Sequence, residues 1–131
     1  MAHEEIRSEQ VFKRPAAPFP LATRTTGGTL LHVSGQVALG LDGDTVGRGD
    51  IERQTIQVLE NIKALVEAAG GTLIDVARIV VYLTTREHLP TVLNVRRRYF
   101  QEPYPASTAV VVVGLAHPDW LVEIEATAVL P

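Results

Sequence analysis

The stretch Asp50-Ile51-Glu52-Arg53-Gln54-Thr55-Ile56-Gln57-Val58-Leu59-Glu60-Asn61-Ile62, running on through Leu65-Val66 to Gly70-Gly71, decides how this chain is read. Ile51, Thr55, Val58 and Leu59, Ile62, Leu65 and Val66, and Ala69 recur at steps of three and four, which lays one apolar stripe along a helix. Asp50 is a good N-cap, and its carboxylate also favours the positive end of the helix dipole. Gly70-Gly71 supplies the stop. One amphipathic helix of this length must lie on something apolar, and the flanking runs are too short to be helices of the same kind.

Working outward, those runs read as strands. Before the helix come Leu21–Thr25 and Thr29–Ser34, separated by a Gly27-Gly28 turn; Asp42-Gly43 marks a further turn, where Gly takes positive φ cheaply. Residues 1–16, polar and followed by Pro18 and Pro20, read as an extended lead-in rather than an element. After the helix a strand spans Ala77–Leu83. A second helix is expected from Thr85 to Phe100, with Pro90 tolerable only in its first turn. Strands at Ala106–Val113 and Leu121–Val129 close the chain. The reading is one α+β domain over 1–131, a mostly antiparallel sheet with two helices packed on one face. Ile79-Val80-Val81 and Val110-Val111-Val112-Val113 show no polar alternation, so both sheet faces should be buried there. Two helices cover only one face, and closed assembly is the remedy for the other.

Composition excludes several function classes. The 131 residues contain no cysteine, so disulfides and thiolate sites are excluded. A formal charge of −3 argues against a general nucleic-acid binder. The basic run Arg96-Arg97-Arg98 reads as a solvated helix face. No apolar run reaches membrane-spanning length and no secretory leader is visible, so a cytoplasmic location is expected. His3, His32, His88 and His117 lack metal-ligand spacing, so a metal site is not expected, and no P-loop or dinucleotide fingerprint occurs.

Four blocks together resemble one known family. Gly49-Asp50-Ile51-Glu52-Arg53-Gln54-Thr55 leading into Val58-Leu59-Glu60-Asn61-Ile62 is similar to the first-helix signature of the RidA (YjgF-like, reactive intermediate deaminase) family. So are His32-Val33-Ser34-Gly35-Gln36, Tyr99-Phe100 with Glu102-Pro103-Tyr104-Pro105-Ala106, and Leu121-Val122-Glu123-Ile124-Glu125-Ala126. The resemblance implies a chorismate-mutase-like fold, a homotrimer, and small-molecule clefts between subunits. It also implies hydrolysis of an enamine or imine, such as 2-aminoacrylate, to a carbonyl compound and ammonia, with no metal or organic cofactor.

Carried over position by position, Glu123 matches the glutamate that handles water or protons. On a strand it shares a face with Glu125 and Thr127. Ser107 stands where the family has an arginine that pairs the substrate carboxylate, and its short neutral hydroxyl cannot clamp a carboxylate in two places. This implies a diverged subgroup whose substrate is not 2-aminoacrylate. Arg24 and Arg96 to Arg98 are alternative donors, expected on the surface. Phe19 replaces the family's early aromatic hydroxyl, keeping an apolar wall; Gly35 and Ala106 shape the cleft through their backbone, and Trp120 and His117 belong to a loop at its mouth. Leu93, not Asn94, falls where the family has an asparagine. The alternative is a non-catalytic small-molecule-binding or regulatory trimer of the same fold. Ribonuclease activity, also attached to this family, fits poorly with the acidic balance and the lack of a histidine pair.

Overall fold

The computed structural model describes residues 3–131. Its main sheet has four strands: β3 (Thr29–Gln36), β4 (Val76–Leu83), β5 (Ala106–Val111) and β6 (Val122–Leu130), in the order β3-β6-β4-β5. A separate pair, β1 (Glu4–Ile6) and β2 (Ala22–Arg24), lies outside it. The lead-in expected over 1–16 therefore contains a strand as well, which registers Glu4 to Arg24 and Ile6 to Ala22.

Helix α1 (Ile51–Ala68) forms as its sequence dictates. The Asp50 carboxylate accepts from Arg53 N at 3.0 Å, and Gly70 adopts φ +93 beyond the last turn. Its stripe of Val58, Leu59, Ile62 and Val66 is buried against Ile79, Val81, Val122 and Ile124 of the sheet. The second helix differs from expectation. Thr85 caps a 3-10 turn over Arg86–His88, and α2 proper runs only Leu89–Arg96, with Pro90 in its first turn. A proline there lacks no bond the helix needs, but the chain before it cannot be continuous α-helix.

Antiparallel pairings join β3 to β6 and β6 to β4, while β4 and β5 are parallel. The parallel pair requires a crossover, and α2 supplies it. Ile79 registers with Ser107, and Tyr82 with both Val110 and Glu123. Partners in register share a face. Ser107 therefore points with Ile79 toward the helices, while Glu123 points with Tyr82 away from them. Strand β4 is buried on both faces, as its apolar run predicts. The β5 run is not: Val110 is 40% exposed, Val111 51% and Val113 111% in the single chain. Among the described residues, no helix is long and apolar enough to cross a membrane.

Candidate functional site

Two groups of side chains stand out, on opposite faces of the main sheet. The first lies where β3 meets β6. The register breaks between Val33 and Gln36, so Ser34 and Gly35 form a bulge facing the middle of β6. A Cβ built on Gly35 would stand 2.8 Å from the carboxylate carbon of Glu123, which real side chains do not tolerate. Any side chain at this position would push the Glu123 carboxylate aside, and Gly35 and Glu123, named separately from the sequence, prove to be one contact. Tyr82 separates the roles of the two glutamates on this face. Its hydroxyl donates to Glu125 Oε1, and that bond raises the phenol pKa. Glu123, half-buried, accepts no hydrogen bond from any described residue, so its carboxylate is open to water or ligand.

The second group surrounds a cleft of about 390 Å3 at the β5 edge. Phe12, Phe19, Leu21, Leu89 and Leu93 form its apolar walls, and Ser107 and Arg96 its polar floor. Arg96 is 2% exposed, which corrects the reading of the whole arginine run as a solvated face; Arg97 and Arg98 do face solvent. Its Nη1 donates to Ser107 Oγ at 2.7 Å and its Nη2 to the Pro18 carbonyl at 3.5 Å. The Phe19 ring lies 5.9 Å from the guanidinium carbon, within cation–π range. No carboxylate among the described residues pairs with Arg96, and burial, with a smaller push from Arg97, brings its pKa down to about 10. The sequence carried the signal that placed it here: Val92 and Arg96 are one helical turn apart on a single stripe.

The remaining candidates separate. Phe19 lines the cleft with Ser107, and Leu93 rather than the exposed Asn94 faces it. Ala106 registers with Arg78 and lies beside Ser107 on the other face of β5. Trp120 is not among the cleft's walls. Its Nε1 donates to Thr45 Oγ1 at 3.2 Å and its ring stacks on His117, centroids 5.4 Å apart, as an anchor for the loop before β6. Arg24 is exposed and pairs with Glu4. Sequence reasoning did not single out the Gln54 side chain, which is fully buried. Its amide donates to Gly47 O and Asp119 O, and its Oε1 accepts from Leu121 N. Among the described residues, no three His, Cys, Asp or Glu side chains gather closely enough to hold a metal ion.

Comparison with known proteins places this geometry among relatives. A family model described as Endoribonuclease L-PSP matches residues 11–130. A RutC family protein of Pyrococcus horikoshii is 41% identical over 88% of this chain and 89% of its own length. The 3-aminoacrylate deaminase RutC of Acinetobacter baylyi is 39% identical over 87% of this chain and 88% of its own. Among solved structures, a Rid family protein of unknown function from Yersinia pestis superposes with TM-score 0.89 at 35% identity, covering 99% of this chain and all of the other.

Proposed function

Since the chain belongs to the Endoribonuclease L-PSP family, the family of the RidA proteins, we propose that it hydrolyses a reactive enamine or imine to a carbonyl compound and ammonia, with Glu123 handling water and protons. The observation that carries this reading is the open Glu123 carboxylate seated on Gly35, while its neighbour Glu125 is taken by Tyr82. A carboxylate so placed takes a proton from water as the water oxygen bonds to the imine carbon. It passes that proton to nitrogen and then carries the remaining hydroxyl proton there as well, as the C=O forms and the C–N bond breaks, releasing ammonia. The protein's own groups suffice for this chemistry, without a cofactor. The deaminase relative acts on an enamine that bears a carboxylate.

The two halves of the site face opposite ways within one chain. Glu123, on the inner strand β6, and Gly35, on β3, lie on the open face; Arg96, Ser107 and Phe19 lie by the β5 edge on the helix side. A complete site therefore needs the β5 edge of one copy against the open β6 face of the next. Such a head-to-tail contact gives a closed ring where its rotation closes, and the family resemblance makes that ring a homotrimer of chorismate-mutase-like form, with the exposed Val110 and Val111 as part of the interface. Ser107 alone argues against a carboxylate-bearing substrate; Arg96 beneath it removes that objection.

Glu123→Gln tests the reading, because the amide keeps shape and loses the base. With 2-aminoacrylate or a larger imine generated in situ by a dehydratase or an amino-acid oxidase, turnover should fall about a hundredfold or more, within the range general acid–base groups supply. Ligand affinity should be retained. Unchanged turnover, or none in the parent protein with any imine, would replace hydrolysis with the non-catalytic binding reading.

A further inference from the structure

We propose that Arg96 anchors the substrate carboxylate and that the cleft around it selects 2-imino acids with a bulky apolar side chain. This rests on the imine-hydrolysis reading above and deepens it. A guanidinium 2% exposed, with one hydroxyl and one carbonyl as neutral partners and no carboxylate among the described residues, is a buried cation without a counter-ion. Burying such a charge is unfavourable unless something of opposite sign completes it. The cleft's other charged walls, Lys13 and Arg14, are also cationic, with Lys13 held by Glu5. The charged side chains that line the cleft thus all attract an anion. The guanidinium fork still has donors to offer a carboxylate, and the Ser107 hydroxyl adds another.

Size and lining fix the rest of the ligand. A three-carbon imino acid has about six heavy atoms and, at about 30 Å3 each (the liquid share of a water), fills about 180 Å3. In the single chain, before a second copy closes its mouth, the cleft offers about 390 Å3. The surplus is bounded by Phe12, Leu21, Leu89 and Leu93, none of which can hydrogen-bond a polar substituent through its side chain. A branched aliphatic or aromatic side chain buries apolar surface there, and a methyl group leaves the space unfilled. The hydrolysis balances as before: water adds to C2, the C–N bond breaks, and a 2-oxo acid and ammonia leave.

An amino-acid oxidase acting on leucine, phenylalanine or alanine supplies the three imines, and semicarbazide trapping follows their decay. The leucine- and phenylalanine-derived imines should be hydrolysed with kcat/KM about tenfold above the alanine-derived one, the lower part of the range for added methylenes in an apolar pocket. Arg96→Met should lower kcat/KM by about tenfold to a hundredfold and weaken binding of 4-methyl-2-oxopentanoate to match, without lowering Tm. Arg96→Lys should recover part of both. A preference for the alanine-derived imine overturns the size selection and leaves hydrolysis standing. Full activity in Arg96→Met, or a lost Tm that lysine does not recover, overturns the anchor and makes Arg96 a purely structural tie to Pro18. Binding of 2-oxo acids through Arg96 with no imine accelerated supports the anchor and overturns the hydrolysis reading instead.

Discussion

Glu123 and Glu125 look equivalent in the sequence, two residues apart on one strand face, and the structure separates them by a single phenol. The carry-over of a motif could name Glu123. It could not show that Gly35 is the residue making room for it, because that contact depends on a bulge whose register no periodicity reveals. Arg96 is the opposite case: its helical phase was readable, but a run of three arginines suggested solvent. Its titration has a definite consequence. Burial, then Arg97, lowers its pKa to about 10, and the cleft presents only Lys13 and Arg14 as further charges. Unfolded arginine keeps its proton to higher pH, so above about pH 10 the unfolded chain binds more protons and this group's unfavourable contribution to stability is relieved as pH rises. A bound carboxylate requires the protonated form. Affinity for a 2-oxo acid should therefore hold between pH 7 and 9 and fall steeply above about 10; calorimetric titration across that range checks it, and Arg96→Met should show no such step.

Between residues and sheet stand the elements, and here α1 was legible at both ends because capping is local chemistry: Asp50 and Gly70 act within one turn of themselves. Helix α2 was legible only in part. Thr85 does open the segment, but Pro90 divides it into a 3-10 turn and two turns of α-helix that end at Arg96. The parallel pairing of β4 with β5 was not legible, since an apolar run states that a strand is buried and not which way its neighbour runs. Gln54 shows how one element positions another. From within α1 it meets Gly47 O, Asp119 O and Leu121 N, fixing the loop that delivers the chain into β6 and so to Glu123. Gln54→Leu strands those three backbone groups in the interior. It should cost about 2–3 kcal/mol, read as a lowered denaturant midpoint, with faster amide exchange over residues 115–121 than elsewhere.

For the whole molecule, the valine run of β5 is the most informative signal in the sequence. Its lack of polar alternation implies a strand buried on both faces, yet in the single chain β5 is an edge with Val110 and Val111 exposed. The discrepancy is the space a second copy would fill. Val110→Asp places a charge on that edge and should yield monomers by light scattering, with turnover lost although Glu123 and Arg96 are untouched. The placement of Glu123 and Arg96 on opposite faces has a further result, tested when two damaged chains are mixed. In the proposed ring, chains carrying Glu123→Gln and chains carrying Arg96→Met would each be impaired alone, because every junction would lack one partner. Unfolded together and reassembled in equal amounts, they should place an intact Arg96 against an intact Glu123 at about one junction in four. Two impaired preparations would then regain roughly a quarter of the parent activity.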